Sequence, residues 1–283
     1  MTDTHSVRLH GDEIDFGNLT DLVGNWQGAN GFNMIAVPNQ LGDFELLIES
    51  YTEQLVVTAV PATTPNRGLT VIENIPTLQY ATTITETDPP NAGGLMHVEC
   101  GFWELSTASV RNGGFDIFRI ASVPHGNAVE AMGTSSVTNG PPVIDPGLNG
   151  QPTGDLPTLS GYTDNYIGLP KFPAFSPERP NQTLINYLQK QLDAGFKVTK
   201  TVTLHVSTQN QGGISNIASL RTNANPTQFE ATFWIETLEG PDGQSFSQLQ
   251  YSQCILIEFP IKSDLPGQTI SWPHINVNTL TLS

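Results

Sequence analysis

Short runs in which apolar and polar residues alternate dominate the chain from residue 32 onward. They are rich in Val, Ile, Thr and aromatic residues and are separated by Gly, Pro and Asn, a pattern that favours strands divided by turns. It predicts about ten or eleven strands, at 32–37, 44–60, 78–86, 95–105, 115–123, 128–135, 197–208, 214–222, 228–239, 246–259 and 269–282. So many strands in antiparallel succession indicate an all-β fold, either a closed barrel or a two-sheet sandwich. A parallel sheet is disfavoured because the helices that it needs are missing.

The composition changes to a Gly-, Pro- and Asn-rich stretch between residues 138 and 180. This stretch contains GPPVIDPGLNGQPTGDLP, and proline cannot donate to a strand ladder. We interpret 138–196 as an insertion in a single β domain that spans residues 1–283. A lid, an oligomer contact and a linker are the roles that such an insertion serves. Its aromatic residues predict that it packs on another surface: Tyr162, Tyr166, Phe172 and Phe175.

The end of this insertion, NQTLINYLQKQLDAG, predicts one short helix. Asn181 is a suitable residue to cap its start and Gly195 to end it. Four apolar residues fall on one face at helical spacing: Leu184, Ile185, Leu188 and Leu192.

Charge and composition narrow the range of partners. The chain has 27 Asp and Glu against 11 Lys and Arg, a net charge of −16, which argues against nucleic-acid and anionic-membrane partners. No apolar run is long enough for a transmembrane helix, and the N-terminus lacks the apolar core of a signal peptide. These features predict a cytoplasmic protein in which Cys100 and Cys254 are free, buried thiols.

Common enzymatic motifs are missing. The sequence has no phosphate-binding glycine loop followed by lysine, no GxSxG, no paired CxxC and no HExxH, so hydrolase, kinase and zinc-site interpretations are weakened. Histidines are the remaining candidates. In LMHVECGFWEL, alternation puts His97 on one face with Glu99 and Gly101. In a barrel that face can point at a ligand, although the same alternation fits a solvated His and Glu pair.

A second candidate is His274, near the end of the chain in SWPHINVNTL. Alternation puts it on one face with Trp272 and Asn276. A neutral imidazole is a common protein ligand of haem iron. A surface histidine beside a tryptophan that packs across strands is the alternative.

Three segments occur together in a familiar order. They are LVGNWQGANGF, then MHVECGFWEL followed by FDIFRIASVPHGNAVEAMGT, and finally SWPHINVNTL. Together they resemble the nitrobindin-like family of haem-binding β-barrels, which are related in shape to fatty-acid-binding proteins and other calycins. The residues that match the family motifs are Gly24, Trp26 and Gly28 (G-x-W-x-G), His97, Glu99 and Gly101 (H-x-E-x-G), and Pro124, Gly126 and Glu130 (P-x-G-x-x-E with one residue of slack).

The resemblance implies a roughly ten-stranded antiparallel barrel that binds ferric haem b. It implies that His274 is the iron ligand and that His97 is the catalytic residue on the opposite side of the haem. The expected contacts of the haem are Trp26, Phe32, Phe102 and Trp272 as an apolar wall, with Arg119 as a partner for a propionate. For each aromatic residue, an ordinary core position is the alternative.

The activity that this family resemblance implies is peroxidase-like or peroxynitrite isomerase-like. The small-molecule partners are then peroxide, nitric oxide or peroxynitrite, and the insertion is a candidate contact for a homo-oligomer. Two other interpretations stay open. One is a non-catalytic barrel that binds a fatty acid or another hydrophobic molecule. The other is a β-sandwich interaction protein that assembles through its aromatic insertion.

Overall fold

The computed structural model describes residues 14–38, 44–107, 113–147, 153–154, 175–260 and 267–283. Within these ranges the chain forms thirteen strands, two α-helices and one 3₁₀ helix, Gly17–Leu22. The strands are β1 (Gly24–Pro38), β2 (Phe44–Ala59), β3 (Thr64–Arg67), β4 (Ile72–Ile75), β5 (Thr77–Glu86), β6 (Leu95–Leu105), β7 (Ile117–Val123), β8 (Asn127–Thr138), β9 (Thr153–Gly154), β10 (Lys197–Asn216), β11 (Asn225–Glu239), β12 (Ser245–Pro260) and β13 (Thr269–Leu282). The helices are α1 (Gln182–Asp193) and α2 (Ala218–Asn223).

Ten of these strands form a closed antiparallel barrel. They pair in the order β1, β2, β5, β6, β7, β8, β10, β11, β12, β13, and β13 pairs again with β1. Trp26 lies opposite Leu282, and Phe32 lies opposite Val277. The two strands β3 and β4 form a separate hairpin, and β9 adds a short pairing to β13. The predicted all-β barrel is therefore confirmed, and the sandwich alternative is wrong.

Two strand predictions differ from the structure. Strand β1 begins at Gly24 rather than at residue 32. The strand predicted at 214–222 is wrong, because β10 runs on to Asn216 and α2 follows it. Ile217 and Leu220 follow Ile214 at spacings of three residues, which is closer to a helical period than to a strand period.

Two glycines of the G-x-W-x-G and H-x-E-x-G motifs allow neighbouring strands to approach closely. A Cβ atom on Gly101 would come within 1.9 Å of the Ile120 carbonyl oxygen on β7. A Cβ atom on Gly28 would come within 2.4 Å of the Thr279 carbonyl oxygen on β13. Both positions therefore require a residue without a side chain.

The 3₁₀ helix closes one end of the barrel, which we call the plugged end. Its Leu19 and Leu22 are fully buried in the interior cluster that also holds Trp26. The Trp26 Nε1–H donates to the Leu22 carbonyl oxygen over 2.8 Å. Lys200, near the start of β10, pairs with Asp21 at the same end.

Helix α1 packs against the outside of the barrel. Leu184 contributes to a buried cluster with Val277, and Leu188 packs with Val198 and Leu238. The helix predicted from the periodicity is confirmed, and Gly195 follows it with a positive φ of 91°. The Asn181 side chain makes no capping bond; its Nδ2 donates to the Asp145 carbonyl oxygen over 2.8 Å instead.

Part of the insertion lies outside the described residues, including Tyr162, Tyr166 and Phe172. Phe175 is described, and its ring stacks on Phe32 with centroids 5.1 Å apart. No helix in the described ranges has the length and apolarity to cross a bilayer. Cys100 and Cys254 are free. The prediction of burial is wrong for Cys100, which is exposed because it points away from the barrel interior.

Candidate functional site

His97 and His274 both lie on inward faces of barrel strands. His97 is opposite the buried Ile84, and His274 is opposite Ile255, on the same face of β13 as the buried Leu280. Both lie toward the end of the barrel that carries the β5–β6, β7–β8 and β12–β13 connections, opposite the plugged end. We call this the histidine end.

A third imidazole, that of His125 in the β7–β8 turn, belongs to the same end. Burial, together with the charges of His97 and His125, lowers the pKa of His274 to about 4. Burial and the charge of His97 also lower the pKa of His125. A charge on His97 therefore opposes the protonation of both His125 and His274, and His274 is neutral at neutral pH.

A buried ion pair lies beside His97. Arg119 Nη2 donates to Glu99 Oε1 over 2.7 Å, and the Tyr80 hydroxyl donates to the same oxygen over 2.5 Å. His97 Nε2 lies 3.5 Å from Glu99 Oε2. Burial alone would raise the pKa of Glu99, but the Arg119 charge and the hydrogen bonds from His97 and Tyr80 outweigh it and lower the pKa to about 2. Glu99 is therefore ionised at neutral pH.

Arg119 is held among aromatic rings inside the barrel. Its guanidinium carbon lies between 5.1 and 5.6 Å from the ring centroids of Tyr80, Trp103, Phe229 and Phe233. The residue is only 5% exposed. Stacking and pairing therefore fix this cation next to Glu99 rather than at the barrel opening.

Hydrogen bonds extend from this pair to His274. Arg119 Nη1 donates to Gln253 Oε1 over 3.4 Å, and Gln253 Nε2 donates to Asn276 Oδ1 over 3.4 Å. Asn276 Nδ2 donates to Asn33 Oδ1 over 2.8 Å, and His274 Nε2 lies 2.6 Å from the same Asn33 oxygen. A continuous set of polar contacts thus joins the two histidines across the barrel.

A second buried carboxylate, Glu53, lies farther inside. It accepts hydrogen bonds from Tyr251 over 2.6 Å, from Asn278 over 2.9 Å and from Thr82 over 2.9 Å. Burial raises the pKa of Glu53, its hydrogen bonds lower it, and the charge on Glu99 raises it. The Tyr51 and Tyr251 hydroxyls are 2.8 Å apart. Glu53 and Glu99 line the same small interior cavity.

The interior leaves little free space. The cavity lined by His97, Glu99, Glu53 and Tyr80 has a volume of about 30 Å³, enough for one or two water molecules. Ligand pockets for small organic molecules are roughly 300–1,000 Å³. Two hollows of about 460 and 570 Å³ have neither His97 nor His274 among their lining residues.

The other residues predicted to contact a cofactor are dispersed. Trp272 is two positions from His274 on β13 and is buried. Trp26 is at the plugged end, paired with a residue eight positions along β13 from His274, a distance of roughly 26 Å at strand rise. Phe102 points outward and is 39% exposed, and Phe32 stacks on Phe175. The structure therefore links His97, Arg119 and His274 through polar contacts. Trp272 packs with Phe44 and Phe259 in a separate apolar cluster, and Trp26, Phe32 and Phe102 lie apart from the two histidines.

Most of the polar residues that surround the two histidines were not predicted from the sequence. They are Asn33, Glu53, Tyr80, Tyr251 and Gln253, whereas Asn276 was placed on the face of His274 by alternation. Asn276 and Asn278 were accessible to pattern analysis, because they follow His274 at two-residue steps on the same strand face. Within the described residues, no three His, Cys, Asp or Glu side chains converge as a metal-binding group.

Sequence comparison with protein-family models finds no match, and comparison with curated proteins finds none either. Among solved structures, the chain is similar to the crystal structure of Rv2717c from M. tuberculosis. The two are 15% identical, with 95% of this chain and 99% of that chain covered and a TM-score of 0.47.

Proposed function

We propose that this protein binds haem b at the histidine end of the barrel, with His274 as the iron ligand, and acts on peroxide or reactive nitrogen species. The observation that supports the proposal is the polar chain from His97 to His274. It links the two residues that resemble the haem-side histidines of nitrobindin-like proteins. It also connects them through a buried Arg and Glu pair.

The residues around His274 fit a haem better than a bare metal ion. Haem iron needs as few as one protein ligand, and the neutral, half-buried imidazole of His274 supplies one. His274 Nε2 bonds to Asn33 Oδ1. A hydrogen bond from the ring nitrogen that does not bind the metal is the usual support of a ligating histidine. Because the interior cavity is about 30 Å³, the group would have to rest at the strand ends rather than inside the barrel.

When bound, ferric haem supplies an iron atom with a coordination position for peroxide, nitric oxide or peroxynitrite. His97 is the residue suited to proton transfer. Its Nε2 faces the ionised Glu99, so a proton taken up at Nδ1 produces an imidazolium next to a carboxylate. Arg119 keeps Glu99 ionised and fixed. His97 can then return the proton from Nδ1 to a leaving oxygen.

An apolar ligand such as a fatty acid is disfavoured as the occupant of the barrel. Its alkyl chain would need an interior cavity of several hundred Å³. The cavity beside His97 and Glu99 offers about 30 Å³, because aromatic and aliphatic side chains pack around it.

Titration of the purified protein with hemin tests the proposal. A saturating one-to-one Soret band is expected for the unaltered chain, and His274→Ala should lose ligation of the iron by the protein while the barrel stays folded. His205→Ala is the matched control, because His205 bonds Thr232 away from the histidine end and its loss should leave the band unchanged. His97→Ala should retain the band and change the reaction with peroxide. A folded protein without a Soret band contradicts the proposal.

A further inference from the structure

Asn33 is in direct contact with His274 and holds a fixed position on the inner face of β1. It lies opposite Asn276 in the β1–β13 pairing and is 5% exposed. Its Oδ1 lies 2.6 Å from His274 Nε2 and 2.8 Å from Asn276 Nδ2. Its Nδ2 donates to Glu49 Oε2 over 2.7 Å. Both ends of this amide are therefore engaged.

The neighbours of Asn33 determine which way its amide points. The carboxylate of Glu49 is an acceptor, so the NH₂ group of Asn33 must face it. Asn276 uses its own oxygen to accept from Gln253 and presents its NH₂ group to Asn33. A reversed Asn33 amide would put two NH₂ groups together and two oxygens together. The network thus directs Oδ1 of Asn33 toward His274.

This orientation decides the protonation of the imidazole. An amide oxygen only accepts hydrogen bonds, so the His274 nitrogen that contacts it, Nε2, must carry the hydrogen. In the neutral ring the lone pair is then on Nδ1. Only a nitrogen with a lone pair can bind a metal.

We propose that Asn33 is a positioning residue that holds His274 with its hydrogen on Nε2, so that Nδ1 is the nitrogen that binds the haem iron. The inference rests on the proposed function and adds the ligating atom and the residue that selects it. Glu49 takes part by accepting from Asn33, which polarises the amide and strengthens the bond to His274. Such support orients a ligating ring and raises its basicity.

The protonation of His274 can be measured in the haem-free full chain. A long-range ¹H–¹⁵N NMR spectrum distinguishes a ring nitrogen that carries hydrogen from one that does not. We expect hydrogen on Nε2 and none on Nδ1 at neutral pH. Hydrogen on Nδ1 would overturn the inference without any reference to haem.

Hemin binding by Asn33 variants gives the second test. Asn33→Leu removes the acceptor and should weaken hemin binding by roughly 10- to 100-fold. Asn33→Asp combined with Glu49→Gln keeps an acceptor for His274 and leaves an NH₂ donor between positions 33 and 49, so it should restore most of the affinity. This double variant also tests the inference if the leucine variant does not fold, because weak hemin binding by it would overturn the role of the acceptor. Thr232→Val, which removes the partner of His205 on β10, is the matched control and should leave the affinity unchanged.

The outcomes separate this inference from the proposed function. Loss of hemin binding in His274→Ala together with unchanged affinity in Asn33→Leu would keep the proposed function and overturn the role of Asn33. Absence of hemin binding by the unaltered chain, with hydrogen found on Nε2, would overturn the proposed function and the iron ligation by Nδ1 while leaving the hydrogen-bond assignment intact.

Discussion

Arg119 and Glu99 show how one residue pair determines the character of the barrel interior. The guanidinium is surrounded by aromatic rings and bonded to Glu99 over 2.7 Å, so both charges are removed from water. Such a pair contributes little net stability compared with apolar residues, but each member depends on the other. The pair therefore fixes the geometry around His97, but the stability of the protein becomes sensitive to substitution of either residue.

Arg119→Met is expected to destabilise the protein by about 3–5 kcal/mol, because it leaves the carboxylate of Glu99 buried without its cation. Urea unfolding at neutral pH measures the free energy of unfolding. Arg221→Met is the control, since Arg221 is exposed on α2 and its loss should change stability by less than about 0.5 kcal/mol. Equal stabilities of the two variants would show that Glu99 does not depend on Arg119.

The candidate site could be predicted from the sequence only in part. His97 and Glu99 are two residues apart on one strand, so alternation is enough to put them on one face. Arg119 and Gln253 reach this face from β7 and β12, and Asn33 reaches His274 from β1. Those partnerships depend on which strands are neighbours and on their register, and no short-range pattern records either property.

At the scale of elements, the interface between α1 and the barrel contains a buried carboxyl group. Glu236 on β11 is 0% exposed. Gln248 Nε2 donates to its Oε2 over 2.6 Å, and Gln191 of α1 donates to Gln248 Oε1 over 2.8 Å. Among the described residues, Glu236 Oε1 has no hydrogen-bond partner. Burial raises the pKa of Glu236 to about 8, with a smaller opposing effect from the Gln248 bond.

This pKa makes the docking of α1 sensitive to pH. The pKa of Glu236 is higher in the folded state than in the unfolded state, where it has its ordinary value of 4.5. Protonation of Glu236 therefore stabilises the folded state fully below pH 4.5, and this stabilisation is lost as the pH rises through about 8. Glu236→Gln removes the charge, so the variant should exceed the unaltered chain in stability by a few kcal/mol near pH 8 and by little near pH 4. Chemical unfolding across this range measures the difference.

Glu239→Gln is the control for this experiment, since Glu239 is exposed on the same strand. It should leave the pH dependence of stability unchanged. A constant difference between Glu236→Gln and the unaltered chain at all pH values would show that Glu236 is ionised in the folded protein. Hydrogen exchange of the α1 amides would show whether the loss of stability begins at the helix.

Helices and strands could be predicted from the sequence where the pattern that indicates them involves only neighbouring residues. The four apolar residues of α1 repeat at helical spacing, and the helix forms where this pattern predicts it. The β3–β4 hairpin was missed because its strands have four residues each and carry few apolar residues in alternation. The first part of β1 was missed because Gly24, Gly28 and Gly31 disfavour strands by propensity. Only glycine fits at positions 28 and 31, because a Cβ atom there would overlap backbone or side-chain atoms of a neighbouring strand.

The molecule as a whole carries a net charge of −16, and this charge affects how it meets an anionic ligand. Hemin carries two propionate carboxylates, so the field of the protein repels it during approach. Arg119, the cation that the resemblance suggested for a propionate, is already paired with Glu99 inside the barrel. Long-range repulsion should therefore dominate the electrostatics of association.

Salt should accelerate hemin association, because it screens this repulsion. Stopped-flow absorption at low and high sodium chloride concentrations measures the association rate constant, which we expect to rise several-fold with salt. Haem dimethyl ester lacks the propionate charges and is the matched control, with a rate that should change little. A rate for hemin that falls with salt would indicate local cations at the histidine end that outweigh the net charge. The ligand would then be guided by a basic contact, and a propionate partner would have to be sought close to His274.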